Sequence, residues 1–255
     1  MRPHGRFAIA PIAVLALAVV AASAPRVGAQ ALPTARELME KNDAAIGGRA
    51  AFDKHTSLHQ KGTIAIAAMN VEGQYELFKA KPGRYVQKIT LGPMGEVTQG
   101  YDGKAAWANR PGQGLILVDS AEAENSKAQA DFLGNFHDMS RYKSAETVGL
   151  VDFDGRKCFK VKIVRKSGGE GFEFYDSVTG LIAGIQAMAD TPMGKQETTN
   201  TFSDYKEFDG LKFPMKIVQK QPQFELVIAF ATIEFDNVDP AVFEMPDKAK
   251  PPVKP

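Results

Sequence analysis

After position 57 the chain alternates apolar and polar residues in short runs that closely spaced turns interrupt. Phe159, Val161 and Ile163, for example, are separated by single lysines. Glycine-containing turn pairs recur between such runs, among them those at 102–103, 154–155, 179–180 and 209–210. A period of two is typical of strands, and turns at this spacing favour antiparallel hairpins. The sequence therefore predicts about ten or more antiparallel strands in a mainly β protein.

Two helical segments stand out from this pattern. Thr34-Ala35-Arg36-Glu37 has the form of a capping box, and the helix that it begins should end at Gly47-Gly48. A short second helical turn is expected through residues 50–52. Residues 119–136 are rich in Ala, Glu, Lys and Gln, which predicts a helix inserted between two meanders of the sheet and lying across one face of it.

The strand at 224–235 is apolar on both of its faces. Leu226, Ile228 and Phe230 alternate with Val227 and alanines. A strand that is apolar on both sides is expected to be covered on both sides. In one antiparallel sheet this requires packed helices or a curled, barrel-like wall with an apolar interior.

The N-terminus has the features of a secretory signal peptide. Arg2 and Arg6 precede an apolar run over 7–22, and Val27-Gly28-Ala29 provides the small residues of a cleavage site. The run is shorter than the roughly 20 residues of a membrane span, although an uncleaved anchor is the alternative. The prediction is a signal peptide over 1–29, a single domain over 30–246 and a disordered Pro- and Lys-rich tail over 247–255. The mature protein would be periplasmic or secreted.

Charge and cysteine content exclude several classes of protein. The 31 Lys and Arg residues nearly balance 30 Asp and Glu residues, and cleavage would change the net charge from +1 to −2. Neither value provides a field that would attract nucleic acid. Cys158 is the only cysteine. An internal disulfide is therefore excluded, and Cys158 is expected to be a buried strand residue, not a reactive thiol.

A search for catalytic motifs finds none in the sequence. It has no GxSxG elbow, HExxH pair or phosphate-binding glycine loop. His55 and His59 are four residues apart, but two surface histidines are favoured over a zinc pair. His137 is expected to interact with the dipole at the end of the inserted helix. The prediction is a protein without catalysis, metal or cofactor, and a hydrolase is a hypothesis without a motif.

Methionine and aromatic residues are the feature of the sequence that indicates a binding function. Such side chains are typical of adaptable apolar binding sites, although many of them simply fill a core. The candidates for lining an apolar groove are Phe78, Tyr85, Trp107, Phe132, Phe136, Tyr175 and Met188.

Several short sequence motifs, spread over most of 34–246, resemble motifs of the outer-membrane lipoprotein-sorting (LolA/LolB-like) superfamily. They are Tyr101-Asp102-Gly103 followed by Trp107, Phe174-Tyr175-Asp176 with Thr179-Gly180-Leu181, the stretch 204–210 with Phe213-Pro214, and Asp239-Pro240-Ala241-Val242-Phe243. The resemblance implies a curled antiparallel sheet, an incomplete β-barrel, with helices covering an apolar concave face that binds acyl chains.

These observations lead to one expected function and one alternative. The expected function is an exported carrier or sensor of an acyl chain, a lipoprotein or another hydrophobic molecule. The alternative is an interaction module of the cell envelope that uses the same scaffold to bind a protein partner.

Overall fold

The structure is a computed structural model that describes residues 31–166, 168–191 and 194–246. The predicted signal peptide and tail lie outside the described residues. Within them the chain forms three α-helices and thirteen strands. The helices are α1 (Ala35–Ala45), α2 (Arg49–Phe52) and α3 (Ser120–Gln129). None of the described helices is long and apolar enough to cross a membrane.

The strands form two meanders. The first contains β1 (Ser57–Ile66), β2 (Val71–Ala80), β3 (Arg84–Thr90), β4 (Glu96–Tyr101), β5 (Ala106–Arg110) and β6 (Gly114–Leu117). The second contains β7 (Tyr142–Phe153), β8 (Arg156–Arg165), β9 (Glu170–Asp176), β10 (Ile182–Thr191), β11 (Gly194–Phe208), β12 (Leu211–Lys220) and β13 (Glu225–Phe235).

A single antiparallel sheet joins the two meanders through β1 and β13. The strand order is β6-β5-β4-β3-β2-β1-β13-β12-β11-β10-β9-β8-β7. The sheet is curled and not closed, so that β6 and β7 are its edges. The predicted fold class, an incomplete antiparallel barrel with helices on its concave face, is confirmed. The segment 118–141, which contains α3, connects one edge to the other and is called the lid segment below.

Helix α1 begins at the predicted capping box. The Glu37 amide donates to the Thr34 hydroxyl at 3.2 Å, and the Thr34 amide donates to the Glu37 carboxylate at 2.7 Å. Two free backbone N–H groups are thereby satisfied. On the opposite side, Leu38 and Met39 are buried against Val161 and other residues of the second meander. Helix α1 therefore covers that part of the concave face.

The inserted helix is shorter than predicted. It ends at Gln129 instead of 136. Beyond it, the Asp131 carboxylate accepts a hydrogen bond from the Leu133 amide at 3.1 Å, which offers the backbone an alternative to the helix. Phe132 and Phe136 consequently lie in turns, where both rings contact Phe52 beneath the lid segment.

The expectation that strand β13 is covered on both faces is wrong. Ile228 and Phe230 share the concave face with Ile233, which packs with the helices, whereas Ala229 and Ala231 are exposed on the outer face. Small side chains expose little apolar area, so their exposure costs little free energy. Only the concave face is covered, and only in part.

Candidate functional site

Phe78 and Trp107 lie on the outer face of the sheet. Phe78 is paired with Val86, which shares its face with Trp107 through Gly100 of β4. The C-terminal 3-10 turn Pro240–Phe243 covers them, because Phe243 packs in the same buried cluster. These two predicted groove residues are therefore on the side opposite the helices.

The other five predicted residues are dispersed as well. Tyr85 is buried on the concave face, and Phe132 and Phe136 belong to the core around Phe52. Tyr175 is fully buried beneath α1, and Met188 is 55% exposed on the outer face. The structure brings together Phe132 and Phe136, and it does not place all seven around one groove. Ligand binding by these residues stays a prediction.

A row of glutamines crosses the concave face of the first meander. Gln60 of β1 is opposite Leu77, which is opposite Gln87 of β3, and Gln87 is opposite Gln99 of β4. Residues in register share a face, so the three glutamines all point to the helix side. We call them the glutamine row.

Two tyrosines join Gln87 and Gln99 of the glutamine row in a hydrogen-bonded ladder. Gln99 Nε2 donates to Gln87 Oε1 at 2.6 Å and to the Tyr85 hydroxyl at 2.8 Å. Gln87 Nε2 donates to the Tyr75 hydroxyl at 3.0 Å. Burial raises the pKa of Tyr75 to about 12, so this hydroxyl is neutral at physiological pH. The concave face of the first meander thus carries a fixed polar patch.

Lys79 adjoins the glutamine row on the same face. It is opposite Leu58 of β1 on one side and Tyr85 of β3 on the other, two residues after Leu77 in β2. Burial lowers its pKa to about 8, and the Asp131 carboxylate of the lid segment offsets part of that effect. Asp131 itself is bound by Arg141 at 2.6 Å.

Toward the hairpin ends of β1, β12 and β13 the concave face is apolar and partly exposed. We call this surface the apolar floor; it consists of Ile66, Ile217, Leu226, Ile228 and Phe230. Exposed Met69 and Met94 lie in the turns that follow β1 and β3 at the same end. Partly exposed apolar side chains on a concave wall leave some favourable burial unrealised, which a hydrophobic ligand can complete.

A buried polar cluster attaches the lid segment to the second meander. His137 Nδ1 is 2.7 Å from Asp43 Oδ1 of α1, and His137 Nε2 is 2.9 Å from the Tyr175 hydroxyl. That hydroxyl donates to Glu173 at 2.5 Å. We call these four residues the His137 cluster. The expectation that His137 interacts with the dipole of the inserted helix is wrong, because α3 ends at Gln129 and His137 is held by carboxylates instead.

Opposing effects set the charges of this cluster. Burial favours a neutral His137, but hydrogen bonds to Asp43 and Glu173 outweigh it and raise its pKa to about 9. Burial likewise opposes the charge of Glu173, whose pKa is nevertheless lowered by its hydrogen bonds with His137 and Tyr175. The cluster is therefore a charged imidazolium between two carboxylates at neutral pH.

The remaining residues considered for chemistry occupy separate positions. His55 Nδ1 is 2.8 Å from Asp236, whereas His59 stacks on Phe78 at the outer face. Among the described residues no group of three or more His, Cys, Asp or Glu side chains is arranged to hold a metal ion. Cys158 is fully buried, as expected, and burial raises its pKa to about 11.

The sequence pattern did not predict the polar part of the concave face. The signal for it is positional: Gln60, Gln87 and Gln99 occupy inward positions of three strands where apolar residues are the rule. Recognising it requires the strand register, which depends on contacts between distant parts of the chain.

Solved structures similar to this one share its fold. A LolA superfamily protein of Nitrosomonas europaea is 14% identical, with a TM-score of 0.57 over 84% of this chain and 98% of its own. A DUF1329 family protein of Desulfovibrio piger is 12% identical, with a TM-score of 0.57 over 82% of this chain and 97% of its own. A putative outer membrane lipoprotein-sorting protein domain of Vibrio parahaemolyticus is 12% identical, with a TM-score of 0.52 over 81% of this chain and 94% of its own.

At these identities the comparisons concern the fold alone, and they confirm the resemblance to the lipoprotein-sorting superfamily at that level. No protein-family model and no curated protein matches the sequence.

Proposed function

We propose that this protein is an exported carrier or sensor that holds the acyl chain of an amphiphilic molecule on the concave face of its sheet, without catalysis. The observation that carries the proposal is the apolar floor, where Ile228 and Phe230 are only partly buried although they face the concave side. A wall that is packed as a core would leave no such side chains partly exposed.

The energetics of the apolar floor suit reversible binding. Each CH₂ group that leaves water contributes about 0.8 kcal/mol, so a long acyl chain gains several kcal/mol. Ordering the chain and losing its translational freedom offset part of this gain. A carrier or sensor needs such an intermediate affinity, because it must also release its ligand.

The proposal can be tested with two neighbouring residues of β13. Ile228 faces the apolar floor, whereas Ala229 is exposed on the outer face of the same strand. We expect Ile228→Glu to weaken binding of the neutral dye Nile red and of hexadecanol by about tenfold or more, because it places a charge against the acyl chain. Ala229→Glu is the matched control and should bind as the unmodified protein does.

Native mass spectrometry of the exported protein, followed by solvent extraction, shows whether a lipid is carried from the cell. Protein that binds neither probe and carries no lipid would overturn the proposal. Equal binding by the two variants would place the ligand elsewhere.

Export and processing are part of the same proposal. Cleavage after Ala29 would produce a mature protein that begins at Gln30. N-terminal sequencing of the protein from the periplasmic fraction of a Gram-negative host tests this step. A protein that keeps Arg2 and stays in the membrane fraction would favour the uncleaved anchor.

The edge strand β7 favours a second candidate function, the binding of a protein partner. It is twelve residues long, and Val148 and Leu150 are 55% and 51% exposed on it. An open edge of this length can accept an extended segment of another chain. A stoichiometric partner that copurifies with the unmodified protein but not with Val148→Pro would support this function. Retention of the partner by that variant would argue against it.

A further inference from the structure

Thr198 of strand β11 carries a buried hydroxyl group without a hydrogen-bond partner. The residue is 4% exposed, and among the described residues nothing bonds its Oγ1 atom. Two residues earlier on the same strand, the Oε1 atom of Gln196 is buried without a partner as well. Buried polar atoms are nearly always hydrogen-bonded, because an unpaired one has lost its bond to water without replacement. Two such atoms on one strand indicate a partner that the described chain does not supply.

The strand register places Thr198 on the concave face of the second meander. It is opposite Ala187 of β10, which is opposite Gly171 of β9, and Gly171 is opposite Ile163 of β8. Ile163 is buried against α1, so these residues all face the helix side. Side chains two positions apart on a strand share a face, and we call the concave side chains at this point of β11 the β11 strip: Gln196, Thr198 and Asn200.

The neighbours of Thr198 on adjacent strands are small. Gly171 and Ala187 are both partly exposed, and neither has a side chain that can form hydrogen bonds. Because glycine and alanine project little above the sheet, a ligand atom can approach the strands closely beside Thr198.

The β11 strip adjoins the apolar floor. Asn200 is opposite Gln219 of β12, which is opposite Leu226 of the floor, and all three residues are partly exposed. Neighbouring strands are about 4.8 Å apart, so Asn200 lies roughly 10 Å from Leu226. A ligand whose tail lies on the apolar floor can therefore place its head group at the β11 strip.

The charges nearby indicate a head group without charge. Glu173 of β9 shares the concave face, but the Tyr175 hydroxyl donates to it at 2.5 Å and Arg165 lies 3.5 Å from it. A charged head group would lose its hydration here without gaining a free counter-ion. Hydroxyl groups suit the strip better, because each can donate and accept a hydrogen bond. At this end of β11, β12 and β13 the charged residues alternate with the concave ones and so face outward: Lys195, Glu197, Lys216, Lys220 and Glu225.

We propose that the β11 strip binds the uncharged, hydroxyl-bearing head group of a single-chain lipid such as a monoacylglycerol, whose acyl chain lies on the apolar floor. This inference rests on the proposed function, since it names the class of ligand for the same concave face. One ligand hydroxyl donates to Gln196 Oε1, and a second forms a hydrogen bond with the Thr198 hydroxyl. The Asn200 amide lies at the surface between the head group and the tail.

The test compares monopalmitoylglycerol, methyl hexadecanoate and hexadecanoic acid as competitors of Nile red on the mature full-length protein at pH 7. The first two carry the same ester-linked chain and differ in the glycerol hydroxyls. A neutral hydrogen bond corresponds to roughly a fivefold gain in affinity. We therefore expect monopalmitoylglycerol to bind about tenfold or more tightly than the methyl ester, and the acid to bind more weakly than monopalmitoylglycerol.

The nearly isosteric substitution Thr198→Val tests the site itself. We expect it to weaken binding of monopalmitoylglycerol about fivefold, while binding of the methyl ester stays within about twofold. Its midpoint of urea denaturation should be unchanged or higher, because the substitution removes a buried hydroxyl that has no partner. Thr199→Val is the matched control, since Thr199 is the next residue of β11 and faces the outer side.

Each other outcome overturns a defined part of the inference. Equal affinity for monopalmitoylglycerol and the methyl ester in the unmodified protein overturns the head-group site and leaves the proposed function intact, and this comparison needs no variant. Tighter binding of hexadecanoic acid than of monopalmitoylglycerol overturns the assignment of an uncharged head group. Unchanged binding by Thr198→Val, an equal loss in Thr199→Val, or a lower urea midpoint of Thr198→Val would each refute the role of the Thr198 hydroxyl. Binding of none of the three competitors overturns the proposed function itself.

Discussion

The substitution His137→Gln tests whether the His137 cluster anchors the lid segment. In the folded protein His137 keeps its proton up to a pKa of about 9, whereas an unfolded histidine releases it near 6.5. Between these values the folded state binds more protons than the unfolded state. The stabilising contribution of His137 is therefore complete below pH 6.5 and is lost as the pH rises toward 9.

The magnitude follows from the width of the pH window. One pH unit corresponds to 1.36 kcal/mol, so raising the pH from 6.5 to 8 should lower the free energy of unfolding by about 2 kcal/mol. The groups that face His137 are Asp43 of α1, Glu173 and Tyr175 of β9 and, through Glu173, Arg165 of β8. Hydrogen bonds to His137 and Tyr175 lower the pKa of Glu173 despite its burial, and burial raises the pKa of Tyr175, so neither of these two groups changes its charge within this window.

Two other groups define the limits of the window. The pKa of Lys79 is lowered to about 8 by burial, so above that pH the folded lysine releases its proton first and stability rises with pH. Burial lowers the pKa of His59, so its titration affects stability only below about pH 6.5, where the unfolded state binds more protons than the folded state and stability falls as the pH falls. Between pH 6.5 and 8 the slope therefore reports on His137.

Urea denaturation at pH 6.5, 7.25 and 8 measures this slope. We expect His137→Gln to be about 3 kcal/mol less stable than the unmodified protein at pH 6.5, because it leaves the Glu173 carboxylate buried with less compensation. Its stability should then be nearly constant over the window. His59→Gln is the control and should keep the slope. An unmodified protein with constant stability from pH 6.5 to 8, or a His137→Gln variant with an unchanged slope, would refute the reasoning.

Substitutions at three further positions test the packing and capping of the fold by urea denaturation at pH 7. Phe52→Ala should cost about 3–5 kcal/mol, because this buried ring contacts four others, and a loss below 1 kcal/mol would contradict that packing. Gly100→Ala should lower the free energy of unfolding by about 1–3 kcal/mol, since the added Cβ would lie 2.8 Å from the Trp107 ring. An unchanged stability would show that the ring can move aside without cost. Thr34→Ala should cost about 1 kcal/mol through loss of the capping box, whereas Thr34→Asp should retain most of the stability.

Features that depend on neighbouring residues were predictable from the sequence. The capping box at Thr34 and Glu37 and the following helix require only contacts within one turn. The hairpins likewise follow from alternation and turn residues, so the antiparallel sheet was foreseen even though its thirteen strands exceed the stated minimum. The end of the inserted helix was not foreseen, because the Asp131 side chain ends it within a stretch whose composition favours a helix.

The face of the sheet to which each strand residue points, concave or outer, was not predictable from the sequence. Phe78 and Tyr85 are both large and aromatic, yet they point to opposite faces of the sheet. The C-terminal segment covers the outer face of the first meander through Phe243, which makes that face apolar as well. A sheet with two apolar faces does not reveal from composition which face is concave, and the predicted groove residues were divided accordingly. The glutamine row and Lys79 became recognisable only when the register placed them on one face.

The gap between the edge strands β6 and β7 and the lid segment that crosses it both follow from the strand order of the sheet. Because β1 pairs with β13, the gap in the sheet falls between β6 and β7, which are consecutive in the chain. The lid segment must therefore cross that gap, and it is attached to an edge strand at each of its ends. A segment attached at both ends can be lifted but cannot swing aside, and the His137 cluster further restrains its second half. We therefore expect a ligand of the proposed groove to enter from the hairpin ends near Met69 and Met94, where the apolar floor is partly exposed.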